Sequence, residues 1–167
     1  MEGGGDFDAF YRESYAGLVR QLWAVTGSRQ DAEDVVQEAF VRAAARWGRV
    51  GAYELPEAWV RQVAIRLARN ELRRVRRGLT ALLRLRPAQQ DGPSEDRPAL
   101  IVALRDLPLR YRQVLVLHYL ADLPVQQIAA ELDLPQGTVT TQLARGRLAL
   151  AQRLGTDHNN RQGAQNV

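Results

Sequence analysis

The stretch VQQIAAELDLPQGTVTTQLARGRL, Val125 to Leu148, has the spacing of two short helices joined by a tight turn. Val125, Ile128, Ala129 and Leu132 recur three and four apart and form one buried side, and Leu134, Val139 and Leu143 can close over it. Ala129 lets the second helix approach closely. Asp133 falls where such a turn often requires a left-handed backbone angle, which glycine adopts more easily. Gln136, Thr138, Thr140, Thr141 and Gln142 then lie near the start of the second helix, with Arg145 and Arg147 further along. Hydroxyls and amides can read base edges or bind phosphates, and a helix N-terminus itself attracts phosphate. A helix with so little charge at its leading end binds weakly by itself. A helical hairpin that packs protein against protein has the same spacing, so both readings stand on this segment alone.

Working outward, DLPLRYRQVLVLHYLADLP predicts a helix with Val114, Leu115, Leu117 and Leu120 as its apolar positions, bounded by Pro108 and Pro124. His118 lies inside it without a partnered Ser, Cys or carboxylate motif, and no chemistry is assigned to it. Residues 99–154 read as about four short helices and 155–167 as a polar, frayed tail. Residues 78–98, which contain RLRPAQQDGPSEDRP, break the periodicity with prolines and polar residues and read as a flexible linker. The expected fold is all-α: two small helical domains, residues 1–77 and 99–154, on either side of it.

The first domain reads as three helices. Asp6 is placed to cap a helix with Phe7, Phe10, Tyr11, Leu18 and Leu22 on its apolar side, Gly27 to stop it and Ser28 to open the next. In SRQDAEDVVQEAFVRAAARW, Ala32, Val35, Val36, Ala39, Phe40 and Ala43 form an inward stripe. Asp31, Asp34 and Glu38, with Gln37 beside them, share the outward face. That row suits either an ordinary solvated face or a docking surface for a basic partner; both histidines, His118 and His158, lie in the other half and no glycine-rich calcium loop surrounds the acids, so a metal site is set aside. GRVGAYELPEA, a loop that holds Tyr53, ends at Pro56, which suits a first helical turn. The helix that follows should bury Val60, Val63, Ala64, Leu67 and Leu72 and present Arg66, Arg69, Arg73 and Arg76 on another face. That face is either a phosphate track near aromatic groups or a solvated surface favoured by the helix dipole.

Composition narrows the classes. The 167 residues carry a net charge of +4, and all 23 basic residues are arginine. With a pI near 10.1 this suits a polyanion, nucleic acid before an acidic protein surface, although a GC-rich genome also enriches arginine. Cysteine is absent, which excludes disulfides, thiolate metal sites and cysteine nucleophiles. The acidic start MEGGGDFDAF lacks a basic leader pattern and no apolar run approaches a membrane span, so a cytoplasmic protein without membrane insertion is expected.

Together these segments resemble the extracytoplasmic-function (ECF) sigma factors of the bacterial sigma-70 family. DAEDVVQEAFVRA resembles the family's polymerase-clamp helix, PEAWVRQVAIRLARNELRRVRR its promoter-melting helix, and the stretch from Leu107 to Leu150 its DNA-binding domain. The resemblance implies that Asp31, Asp34, Gln37 and Glu38 dock on the clamp of the largest-type subunit of core RNA polymerase. It implies minus-10 DNA contacts at Arg49, Tyr53, Trp59, Arg61, Arg66, Arg69, Asn70 and Arg73, with a flipped base captured by the loop from Gly48 to Leu55. It further implies minus-35 contacts at Gln136, Thr138, Thr140, Thr141, Arg145 and Arg147, an anti-sigma partner, no cofactor and no catalysis. The chain departs from the family's usual glycine at Asp133, basic residue at Thr140, arginine at Gln142 and frequent asparagine at Arg66. The rival from another class is a stand-alone helix-turn-helix regulator that binds an operator as a dimer.

Overall fold

Gly27 decides where the first two helices part: at φ 77° it adopts the left-handed angle that lets α1 (Gly3–Thr26) stop and the chain reverse. One residue on, Ser28 has extended backbone angles and its side chain accepts a hydrogen bond from Asp31 N at 3.2 Å, opening α2 (Arg29–Ala44). This computed structural model describes residues 3–78 and 99–163, and the chain divides into two compact units at residues 97 and 98. Of the linker expected at residues 78–98, residues 79–98 lie outside the described residues, whereas Gly78 is the last residue of α4 (Pro56–Gly78).

In the first unit α1, α2 and α4 pack on one another, with the short α3 (Trp47–Val50) beside α1 and α2. The core is Leu18, Leu22 and Val25 of α1, Ala32, Val36, Ala39, Phe40 and Ala43 of α2, and Val60, Ala64, Ile65 and Ala68 of α4. Each buried leucine contributes about 1.5–3 kcal/mol. Phe10 stacks on Trp47 with centroids 5.0 Å apart, and Tyr11 meets Phe40 edge-on at 4.8 Å, closing one end of the unit.

Four expectations change here. The first helix begins at Gly3, so Asp6 sits inside its first turn, where its charge favours the helix dipole, rather than at the cap. The loop after Trp47 begins with a helical turn, α3, whose Gly51 N bonds to Trp47 O at 2.8 Å. Val35 is only half-buried. The buried stripe of α4 is rotated: Val63, Leu67 and Leu72 are half-buried, while Arg61, Ile65 and Ala68 go inside. The sequence offers two apolar arcs on this helix, and the arc with alanines at 64 and 68 lets two neighbouring helices come close. Arg61 is 4 % exposed, with Nη1 donating to Gln21 Oε1 at 3.3 Å and to Glu57 Oε1 at 3.0 Å.

The second unit contains α5 (Ala99–Arg105), α6 (Leu109–Tyr119), α7 (Val125–Leu132) and α8 (Gln136–Gly163). Val114, Val116 and Leu117 of α6, Ile128 of α7 and Val139 of α8 form its core with Leu104. Asp133 takes the left-handed angles φ 54°, ψ 51°, and Leu134 N bonds to Ala129 O at 2.9 Å, fixing the turn between α7 and α8. Asp122 is left-handed as well, and the loop it bends is held by His118, whose Nδ1 donates to Leu123 O at 3.0 Å. Because α6 ends at Tyr119, Leu120 leaves the helical stripe and is exposed. Val125, at the first turn of α7, is half-buried. Residues 155–163, expected as tail, continue α8; 164–167 lie outside the described residues. Among the described residues there is no strand.

A Cβ placed on Gly146 would meet Leu115 Cγ and Cδ1 and Tyr111 Cβ at 3.2 Å, so glycine sets how closely α8 lies on α6. All three tryptophans, Trp23, Trp47 and Trp59, belong to the first unit, so their fluorescence reports it alone. Gly146→Val is expected to destabilise the second unit by about 1–3 kcal/mol. The circular-dichroism midpoint should fall while the tryptophan transition stays in place. Arg61→Ala is expected to do the reverse, lowering the tryptophan transition by about 1–3 kcal/mol through the lost buried hydrogen bonds and packing.

Candidate interfaces on the two units

The stripe that buries one side of α2 turns its carboxylates outward. Asp31, Asp34, Gln37 and Glu38 are all exposed. Gln30 Nε2 donates to Asp34 Oδ1 at 2.9 Å, Arg29 pairs with Glu33 at 2.9 Å and Arg42 with Glu38 at 2.8 Å, each one helical turn apart. Asp34, Gln37 and Glu38 line a shallow depression with Tyr15, Gln30, Glu33 and Val41, whereas Asp31 lies outside it. Burial raises the Tyr15 phenol above its ordinary pKa, and Tyr11 and then the carboxylates of Glu33 and Asp34 push the same way. Val41 is 58 % exposed, an apolar contact beside the acids. Sequence reasoning missed Tyr15 and Val41, yet Val41 follows Asp34 and Glu38 by seven and three residues, a spacing that places it on their face.

A second cleft opens between the end of α2 and α4. Trp59, Arg66 and Asn70 line it together with Arg42, Arg46, Gln62, Val63 and Leu67. Of the other expected minus-10 residues, Arg49, Tyr53 and Arg73 are exposed and Arg69 is half-buried, but none of them lines this cleft. Arg61 was expected among the minus-10 residues; it is buried, with its guanidinium held inside the unit by Gln21 and Glu57. Arg42, Arg46 and Gln62 were missed. The two arginines belong to the end of α2 and to the junction after it, close to α4 only in the folded unit. Arg42 also joins the two depressions, since its partner Glu38 lines the acidic one.

In the second unit Gln136, Thr140, Thr141, Arg145 and Arg147 are exposed along α8, and Thr138 is half-buried. Thr140 Oγ1 donates to Gln136 O at 3.0 Å and Thr141 Oγ1 to Gly137 O at 2.9 Å. Arg147 Nη1 donates to the Tyr119 hydroxyl at 3.1 Å. Arg110 lies over the Tyr111 ring at 4.7 Å; its hydrogen bond, and behind it that of Arg145, holds the Tyr111 phenol below its ordinary pKa. Arg145 and Arg147 are thus each tied to a tyrosine of α6.

Among the described residues no three His, Asp or Glu side chains are grouped to hold a metal, and no helix is long and apolar enough to cross a membrane. The family description Sigma-70 region 2 matches residues 10–78, and Sigma-70, region 4 matches residues 97–150. The ECF RNA polymerase sigma factor SigW of Bacillus subtilis is 29 % identical over 170 residues, covering 90 % of this chain and 91 % of its own. The RNA polymerase sigma-E factor of Streptomyces avermitilis is 29 % identical over 153 residues, covering 89 % of this chain and 85 % of its own. The sigma factor RpoE of Bartonella quintana, solved in complex with the anti-sigma factor NepR, shares the fold with a TM-score of 0.71 at 22 % identity, over 91 % of this chain and 98 % of that one. Two sigma-70 regions, in order, on two helical units with the helix-turn-helix in the second, leave one assignment: the chain belongs to the extracytoplasmic-function class of RNA polymerase sigma factors.

Proposed function

We propose that the chain works in the cytoplasm as a non-enzymatic specificity subunit, with α2 docked on a basic surface of core polymerase, α4 holding melted minus-10 DNA and α8 reading the minus-35 duplex. The observation that carries this reading is the separation of charge on the first unit. Carboxylates line one side of α2, and an arginine and tryptophan cleft lies between α2 and α4. The match to both sigma-70 regions favours it over a stand-alone dimeric regulator. The domain assignment follows the same lines: residues 1–77 for polymerase and the minus-10 strand, 78–98 as linker, 99–154 for the minus-35 element. An anti-sigma partner is part of the proposal, since the related Bartonella protein was solved with one.

The mechanism asks little of any single contact. The intrahelical pairs on α2 are exposed and each contributes about 0.3–0.5 kcal/mol, so exchanging them for polymerase cations costs little. Val41 and Tyr15 add apolar area beside the charges. At the other cleft Trp59 offers a face to an unpaired base while Arg42, Arg46 and Arg66 surround it with positive charge. Stacking of that kind is worth about 1–3 kcal/mol per base, which offsets unstacking without nucleotide hydrolysis. Polymerase performs the bond chemistry.

Run-off transcription with purified core polymerase and genomic fragments tests the whole reading. Initiation at defined sites should require the chain, and tight duplex binding by the chain alone would instead support the regulator. The docking face is tested by Asp34→Arg with Glu38→Arg. Core affinity should drop at least about tenfold. The tryptophan unfolding transition should move by no more than about 0.5 kcal/mol, because both positions are on the surface. Undiminished core binding would remove α2 from the interface.

A further inference from the structure

Two hydroxyl hydrogens at the reading end of α8, those of Thr140 and Thr141, are already committed. Thr140 and Thr141 are exposed side by side, and each donates to the carbonyl one turn back, at 3.0 and 2.9 Å. A hydroxyl has one hydrogen and two lone pairs. With that hydrogen held by the helix, each Oγ1 presents only acceptor capacity outward, beside a methyl group. The nearest arginines on α8, Arg145 and Arg147, are one to two turns further on and interact with Tyr111 and Tyr119. No donor comparable to a free arginine fork therefore stands at positions 140 and 141.

Major-groove edges differ in what they ask for. Guanine offers two acceptors, N7 and O6; adenine N6 and cytosine N4 are donors; thymine carries a methyl. An acceptor-only pair of threonines suits the amines and the methyl and opposes guanine, because meeting guanine O6 or N7 requires breaking the bond to the helix carbonyl. The same restriction applies to phosphate oxygens, which accept only. We propose that Thr140 and Thr141 are specificity-determining residues that select adenine or cytosine amines, with thymine tolerated through its methyl, and exclude guanine from the base positions they face. This rests on the reading of α8 as the helix in the minus-35 groove and adds the chemistry that it recognises there.

The test uses reconstituted holoenzyme and a promoter pool randomised through the upstream element, with transcripts sequenced. Thr140→Arg and Thr141→Arg locate the base pairs, since each introduces a guanine preference at the position it faces. At those positions the unaltered protein should favour adenine or cytosine over guanine by about 3- to 10-fold. Thr140→Val and Thr141→Val keep the shape and the methyl but remove the acceptor. Each should erase the amine preference and shift the position toward thymine, with the upstream element still in use and the circular-dichroism midpoint unchanged. A guanine preference in the unaltered protein, or amine selection that persists in the valine variants, overturns this inference while leaving α8 in the groove. Initiation indifferent to the whole upstream element overturns the placement of α8, and this inference with it.

Discussion

Close approach of helices through alanine is the constraint on which the first unit depends. Ala24, Ala32, Ala39, Ala43, Ala64 and Ala68 are each at most 1 % exposed and come from all three long helices of the unit. Small side chains at these positions bring backbones together, so dispersion contacts accumulate without large residues between the axes. With α2 committed on that side, its carboxylates have only the outer face to occupy. On α4 the same packing draws Ile65 inside and leaves Val63 and Leu67 to line a cleft beside Trp59. The acidic and basic surfaces are thus consequences of one core, and the Arg42–Glu38 pair marks where they meet.

Arginine has several physical roles in this chain, and composition does not separate them. Arg61 and Arg112 are buried. Arg112 Nη2 donates to Leu107 O at 3.2 Å, and burial lowers its pKa. Arg153 pairs with Asp106 at 3.0 Å, tying α8 to the end of α5. Arg42, Arg46 and Arg66 line a cleft. A long aliphatic stem with a planar fork suits all of these places, which is why a count of arginines overstates the nucleic-acid signal.

Local chemistry was the part of the fold most legible in the sequence. Gly27 and Ser28 act at adjacent positions through backbone angle and capping, and Asp133 takes the left-handed angle its place between two apolar patterns calls for. The exposed acid row on α2 followed from its stripe. What escaped was decided by tertiary partners. Periodicity alone offered α4 two arcs and did not weigh alanine against leucine in a contact with two helices. The burial of Arg61 depends on Gln21, forty residues earlier, and the cleft depends on the end of α2 reaching α4. Leu120 was misplaced because the helix stops at Tyr119, ahead of the left-handed Asp122 rather than at Pro124.

The sparse charge at the front of α8 bears on the behaviour of the whole chain. Non-specific affinity for duplex DNA comes from phosphate neutralisation and scales with the cations that reach the backbone. Between Gln136 and Gln142 α8 has no cation, and the hydroxyls of Thr140 and Thr141, bonded to helix carbonyls, have no hydrogen to give a phosphate. Such a helix has a small sequence-independent term and relies on base edges, so it binds weakly anywhere by itself. Weak binding becomes selective once a second module is tethered to the same machine, because effective concentration replaces intrinsic affinity. A stronger recognition helix would hold the chain on DNA without polymerase. Under the proposed function, the acidic face of α2 and the uncharged front of α8 answer one requirement, that promoter recognition be withheld until the core enzyme is bound.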